Sequence, residues 1–374
     1  MSRPRRLLAV LVAAVVVATG AVVAWAARDG GPVPPKRPLA EAVAQALDPR
    51  VGAGVRMRFA VRNELLPAGS VGPPLAGLLD AGAEGRAAIA PDGRFLVALD
   101  AAAGRLEVAF DGRRLRLWSP LLPVVYEAAL PPGALEVPAG ARPGPAEVRA
   151  ALTGLARLAK LSAARPATIA GRPAYEVRID PRDDGGLLGA VEVAWDAERG
   201  LPLRGAVYAQ GEDAPALELR ATEVELGPVP AGDLRLGAPA GTPAVQLDRD
   251  AGGAAPSGGG GGVALPAPPR RLAGLQRRLL RRGLGGAAGS FAVYGAGLGT
   301  ILVLQAPSDA ATDAAGGAAL GLPQVNIEGA TGVELATALG TGLLVSRAGV
   351  TSVVVGLVPP LAAENVARGL LHAR

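Results

Sequence analysis

The feature that most restricts the fold of this chain is a two-residue alternation of apolar and charged side chains, repeated from Val51 to Leu226 and interrupted by glycine and proline turns. In the segment Val55–Arg62, the alternation places four apolar residues on one side of a strand and three arginines on the other, because successive strand residues point to opposite faces. An antiparallel sheet with one apolar face needs something to cover that face. The pattern therefore predicts a sheet that packs against helices or binds an apolar ligand.

Composition limits the classes of function. The 374 residues are 50% hydrophobic, which is enough for two domains. Nine arginines in two clusters exceed the formal net charge of +5, so the rest of the chain has no general basic surface and nucleic acid is not an expected partner. The chain has no cysteine, which excludes disulfides, a lipidated cysteine and thiolate metal sites.

The N-terminus predicts export from the cytoplasm. Three arginines precede Leu7–Ala27, a stretch of 21 residues without a charge. That length favours a retained membrane anchor over residues 1–28, with cleavage near Ala26 as the alternative. Because positive residues before an apolar segment keep the N-terminal end in the cytoplasm, the remainder of the chain is expected in the periplasm or another extracytoplasmic space. Residues 29–37, which are rich in proline, are expected to form a spacer.

The fold class predicted from these patterns is α+β. After the N-terminal membrane helix, residues 38–240 should form a half-open antiparallel β-barrel with covering helices, one starting near Leu39 and one over Pro145–Lys160. Residues 241–269, which contain five consecutive glycines, read as a linker. Residues 270–374 are expected to form a smaller α+β domain that ends in a helix.

Three segments carry a resemblance to a known family: Gly171–Val177, Val191–Asp196 and Gly200–Arg204. Over roughly residues 38–235 the chain resembles the periplasmic lipoprotein-carrier family, the LolA and RseB-like proteins. The resemblance implies a half-open barrel with helices across its mouth and an apolar cavity. The second domain is similar in layout to the two-domain regulatory branch, in which the smaller domain helps to hold a membrane anti-sigma factor. No motif of residues 270–374 identifies such a partner site.

The proposed wall of the cavity consists of large apolar residues from the alternating strands. A 16-carbon acyl chain buried there would contribute on the order of 12 kcal/mol before entropic and reorganisation costs. The alternative is that these side chains simply fill a closed core. The lipid-binding candidates are Met57, Phe59, Phe95, Val97, Val108, Phe110, Leu115, Leu117, Val177, Val193 and Trp195.

The segment Arg270–Arg282 contains six arginines and no acidic residue. As a helix, it would be basic and amphipathic and suited to anionic lipid headgroups. As an extended strand, it would be an edge protected from aggregation by its charge. The candidates for contact with an anionic surface are Arg270, Arg271, Arg277, Arg278, Arg281 and Arg282.

No catalytic, metal or cofactor motif is recognised. His372, the sole histidine, lies in the tail, and Tyr294–Gly299 lacks the spacing of a dinucleotide loop. The acidic segments Asp180–Gly185 and Asp248–Asp250 lack the distal glutamate of a calcium loop and read as polar turns. The chain is therefore predicted to be a non-enzymatic carrier or chaperone-like binder of acyl chains of lipids or lipoproteins. The alternatives are a lipid-responsive regulator of a membrane anti-sigma factor and a non-catalytic cell-envelope interaction domain.

Overall fold

The computed structural model describes residues 31–47, 50–66, 82–101, 104–121, 124–130, 143–182, 185–246, 265, 267–282, 289–307 and 322–372. These residues form two β-sheets and three α-helices. The helices are α1 (Leu39–Ala46), α2 (Pro145–Leu155) and α3 (Pro360–His372).

The larger sheet has thirteen strands in the order β13-β6-β5-β4-β3-β2-β1-β12-β11-β10-β9-β7, with β8 paired to β9. The pairs are antiparallel except for β13, which runs parallel to β6. The strands are β1 (Val55–Asn63), β2 (Ala83–Ile89), β3 (Phe95–Ala101), β4 (Gly104–Phe110), β5 (Arg114–Trp118), β6 (Val125–Ala129), β7 (Ala159–Leu161), β8 (Arg165–Ile169), β9 (Arg172–Pro181), β10 (Leu188–Asp196), β11 (Pro202–Ala209), β12 (Pro215–Leu226) and β13 (Ala244–Gln246).

The half of the sheet from β8 to β12 is curled, because β8 approaches β12 although three strands separate them. One apolar cluster contains a residue from each of the five strands: Ile169, Ala174, Ala194, Leu203 and Ala221. Strands from opposite ends of this group therefore share a core.

Helix α1 packs on the sheet above β9 and β10, where Ala42 is fully buried against Tyr175 and Trp195. Its C-terminal end is held by a hydrogen bond of 2.6 Å from Gln45 Nε2 to the carbonyl oxygen of Ala197. The turn beneath it needs Gly200, which has a φ of +70° and no room for a Cβ against the backbone of Gln45. Helix α2 packs against α1.

Residues 227–246, called here the crossing segment, run from the end of β12 to β13. A short 3₁₀ turn, Ala231–Leu234, lies beside β2 and β3, and Leu236 packs on Leu96. The backbone N–H of Gly237 donates a hydrogen bond of 2.5 Å to the buried carboxylate of Glu107. The segment therefore covers one face of β2–β4 before it adds the edge strand β13.

The smaller sheet has eight antiparallel strands in the order β14-β15-β16-β17-β21-β20-β19-β18. Its core lies between the sheet and α3, where Tyr294, Val303 and Val366 are fully buried. The strands are β14 (Arg271–Leu272), β15 (Leu275–Arg282), β16 (Ser290–Tyr294), β17 (Ile301–Pro307), β18 (Gln324–Ile327), β19 (Ala330–Thr337), β20 (Gly340–Arg347) and β21 (Val350–Gly356).

The predicted α+β fold class is wrong. The described residues are mostly β; helix α1 packs on β9 and β10, and helix α2 packs against α1. Within the described residues the larger sheet stays open and runs from an edge at β13 to an edge at β7. The C-terminal region, predicted as a smaller α+β domain, is also mostly β: its described residues form an eight-stranded sheet with one helix.

The predicted membrane helix of residues 1–28 lies outside the described residues. Of the helices within the described ranges, none combines the length and the apolar character needed to cross a bilayer. Part of the predicted linker, Ala244–Gln246, is strand β13, and residues 247–264 lie outside the described ranges.

Candidate functional site

The larger sheet has one face, called here the apolar face, on which large apolar side chains line up across strands. Paired residues of neighbouring strands point to the same side. One row runs Tyr126, Leu117, Val108, Val97, Ala87, Met57 and Val224, and a second runs Ala128, Leu115, Phe110, Phe95, Ile89, Val55 and Leu226. A third row runs Ala101, Ala83, Val61, Leu219, Gly205, Val193 and Val177.

All eleven predicted lipid-binding residues lie on this face, but they differ in environment. Val177 and Trp195 are buried beneath α1, with the Trp195 ring 6.5 Å from that of Tyr175. Val193 belongs to the same cluster. These residues therefore pack as the core between α1 and the sheet.

Phe59 is also buried, and its ring lies over Gly85 on the neighbouring strand. It packs with Val61 and with partly buried residues that include Val97 and Leu217. Met57 contacts the cluster that joins β8 to β12. On this part of the face, the side chains are therefore covered by residues of neighbouring strands of the same sheet.

The remaining candidates lie on β3, β4 and β5 and are only half-buried. The rings of Phe95 and Phe110 lie side by side, with centroids 5.8 Å apart. The apolar clusters that contain residues of α1 and of β8 include no residue of β3, β4 or β5. A continuous apolar patch is left partly open to solvent, formed by Phe95, Val97, Leu99, Leu106, Val108, Phe110, Leu115, Leu117 and Tyr126.

Burial on β3 depends on the face to which a side chain points and not on its size. Leu96 and Ala98 are 1% and 0% exposed, whereas Phe95, Val97 and Leu99 are half-buried. The reason is the crossing segment, which covers the opposite face through Leu236. Sequence reasoning missed this cover, although the unbroken apolar run Phe95–Leu99 is a signal of a strand buried on both sides.

The opposite face carries charges that neutralise one another. The Arg204 guanidinium lies 2.6 Å from Glu176, 2.7 Å from Glu192 and 2.5 Å from Glu218. Burial alone would raise the pKa of Glu192, but hydrogen bonds from Arg204 and Tyr208 outweigh it and hold that pKa below its ordinary value. The network links β9, β10, β11 and β12 across the sheet.

Two concavities of the described chain, of about 380 and 180 Å³, lie on this opposite face, which carries the charged residues. The larger is bounded by the crossing segment and by β4–β6, with Arg116 and Glu127 paired at 3.1 Å in its wall. The enclosed apolar cavity implied by the family resemblance is not found among the described residues; the apolar patch is an open surface.

The arginine-rich segment is extended. Arg271 lies in β14, and β15 contains Arg277, Arg278, Arg281 and Arg282. The helical interpretation is therefore wrong, and the backbone is the extended strand of the alternative. Contact with an anionic surface stays a prediction.

The other segments singled out in the sequence take structural positions. His372 Nε2 lies 2.7 Å from Glu328 on the surface, and Asp180 pairs with Arg178. Gly297–Gly299 forms a 3₁₀ turn between β16 and β17. Asp248–Asp250 lies outside the described residues.

No family model and no curated protein matches the sequence. Among solved structures, the chain is similar to MucB of the Pseudomonas aeruginosa MucA/MucB complex, with 19% identity, a TM-score of 0.42, and coverage of 88% of this chain and 97% of that chain. A LolA superfamily protein from Nitrosomonas europaea has 11% identity, a TM-score of 0.22, and coverage of 54% and 98%. A putative outer membrane lipoprotein-sorting protein domain from Vibrio parahaemolyticus has 10% identity, a TM-score of 0.23, and coverage of 52% and 94%. These neighbours match the family resemblance predicted from the sequence, and similarity at this level assigns no function.

Proposed function

We propose that this protein binds acyl chains of lipids or lipoproteins outside the cytoplasm, on the open apolar patch of β3–β6. One observation carries the proposal: the apolar residues of β3, β4 and β5 on the patch side are half-buried, while Leu96 and Ala98 on the other side of β3 are sealed beneath Leu236 of the crossing segment. A face this apolar is expected to be covered by something in the functional state.

An acyl chain fits this patch in chemistry. The patch offers aliphatic and aromatic carbon from four adjacent strands, which spans about 15 Å across the strands at a spacing of roughly 4.8 Å. Each buried methylene contributes about 0.8 kcal/mol, so binding requires no catalytic group. The function is capture, shielding and release, with no bond made or broken.

Native mass spectrometry of the full chain, purified in mild detergent and exchanged into a volatile buffer, tests the proposal. We expect co-purified or added phospholipid to bind at one acyl-bearing molecule per chain or more. Leu117→Asp should abolish this binding, because it places a charge in the centre of the patch. Leu158→Asp is the matched control, since Leu158 is 63% exposed and lies after α2.

Two results would refute the acyl-binding proposal: no lipid bound even after saturation with phospholipid, or equal binding by the Leu117 and Leu158 variants. The absence of bound lipid would favour the alternative of a cell-envelope interaction domain without a lipid ligand.

A second candidate function is a lipid-responsive regulator that acts on a membrane anti-sigma factor through the smaller sheet. The observation that favours it is a pair of backbone hydrogen bonds between the two sheets. Ala338 N donates to Leu65 O at 2.7 Å, and Leu187 N donates to Leu357 O at 2.7 Å. Leu65 follows β1, and Phe59 and Val61 of β1 pack against Val97 of the patch, which supports coupling between the patch and the smaller sheet. Pull-down of the anti-sigma factor with lipid-loaded and lipid-depleted protein separates regulator from carrier, because only a regulator changes its retention.

A further inference from the structure

The smaller sheet has a second apolar surface, on the side opposite α3. We call it the outer face. One cross-strand row on this face runs Leu279, Val293, Leu302, Val355, Gly342 and Leu335. The neighbouring row runs Arg281, Phe291, Leu304, Val353, Leu344 and Val333. The next row is small and polar and contains Ala306, Thr351, Ser346, Thr331 and Asn326.

These apolar side chains keep much of their surface in solvent. Leu279 is 37% exposed, Leu304 is 39% exposed and Val355 is 40% exposed, whereas the residues that face α3 on the same strands are buried. A sheet with one face sealed by a helix normally carries polar residues on its other face. Here both faces are apolar, which marks the outer face as an interaction surface.

Positive charge borders this face along one edge. Arg271 and Arg281 are exposed; Arg281 lies in the second row, and Arg271 lies on the side opposite the buried Leu272. Arg270 and Arg278 are exposed beside them. The described residues from 267 to 307 include no aspartate or glutamate, so no acidic side chain of these strands neutralises the edge.

We infer that the outer face docks on an anionic lipid bilayer, with the arginine edge against phosphate groups and the two apolar rows against the interfacial carbon. The arginine edge favours an anionic partner, and the width of the apolar rows favours a membrane surface over a single peptide strand. The rows cross six strands, which is about 24 Å at the usual strand spacing. An acidic peptide added as a strand to β15 would pair with the edge alone and would leave Leu304 and Val355 in solvent.

This docking surface is separate from the acyl-binding patch, so either proposal can fail without the other. The chain contains no cysteine, and Leu304→Cys therefore creates a single attachment site for an environment-sensitive dye. Leu361→Cys, on α3, is the control position, because Leu361 is 63% exposed on the element that packs against the opposite side of the sheet. Both labelled proteins are full-length and carry the same N-terminal segment.

With phosphatidylglycerol vesicles we expect a blue shift of the dye at position 304 and none at position 361. With phosphatidylcholine vesicles neither dye should shift. Arg271→Glu combined with Arg281→Glu should weaken vesicle binding, measured by the titration at position 304, by about tenfold or more, because each basic residue near an anionic surface strengthens binding roughly fivefold. Arg113→Glu combined with Arg157→Glu is the charge-matched control, because both arginines are exposed and remote in sequence from this edge.

Any of three results overturns the inference. The first is an unchanged dye at position 304, and the second is an equal shift with neutral vesicles. The third is a shift caused by an alternating leucine–glutamate peptide but not by vesicles, which would assign the face to a protein partner.

Discussion

The aromatic ring of Phe59 lies directly against the backbone of Gly85, its paired residue on the neighbouring strand of the larger sheet. A Cβ at position 85 would overlap the ring atoms of Phe59. The glycine therefore lets a bulky side chain of β1 lie flat on β2, and Phe59 is buried in a cluster whose described members all belong to strands.

Gly85→Ala should destabilise the protein by about 1–3 kcal/mol, because the ring must leave its position to accommodate a methyl group. Urea denaturation followed by circular dichroism measures the change. Gly154→Ala is the control: no atom lies within 4 Å of the added Cβ, and alanine is the better helix former. Equal stability of the Gly85 variant and the parent would contradict the packing described.

Arg204→Met should cost about 3–5 kcal/mol of unfolding free energy, because three carboxylates would lose the cation that they share in a partly buried site. Arg58→Met should change stability by less than about 1 kcal/mol, since that guanidinium pairs with Glu223 in solvent. Thermal melts of both variants at neutral pH make the comparison. A small effect at Arg204 would mean that the network is dispensable.

The pH dependence of stability should reflect Glu334. Burial raises the pKa of Glu334, and the nearby Glu364 raises it further. The folded protein therefore binds this proton more readily than the unfolded chain, and the stability that the proton contributes at low pH is lost as pH rises through the folded pKa. Glu334→Gln should melt at a higher temperature than the parent at pH 7, and the gain should shrink on acidification. Glu84→Gln, at an exposed position, should show no such gain.

Glu107→Ala should release the crossing segment from the larger sheet. The substitution removes the acceptor for Gly237 N and leaves that donor without its partner, at a cost of about 1–3 kcal/mol. Hydrogen exchange should accelerate in residues 231–246 more than in β9–β12. Glu107→Gln retains an acceptor and should restore part of the protection, whereas uniform acceleration in both variants would show that the contact has no local role.

The alternating strands and the face shared by the eleven candidate residues could be predicted, because side-chain direction in a strand depends only on position along it. Val55, Met57 and Phe59 fall on one face in any antiparallel register. The helices near Leu39 and Pro145 were also predictable from their spacing and from their proline starts.

The sequence did not predict which of the eleven lipid-binding candidates stay partly exposed to solvent. Val177 and Trp195 belong to the same pattern as Leu115 and Leu117, yet α1 covers the first pair and leaves the second half-exposed. That difference depends on contacts between residues more than 60 positions apart. Arg270–Arg282 shows a related limit, since leucines interspersed with arginines satisfy both helical and strand spacing until pairing with β16 selects the strand.

The sequence by itself determined that this chain builds sheets and which side chains share a face, because both follow from local backbone geometry. Only the tertiary structure decided which apolar faces are sealed. The cover comes from distant segments: α1 over β9 and β10, the crossing segment over β2–β4, and α3 over the smaller sheet. Burial is a property of what packs on a strand, and a strand's own residues do not specify it.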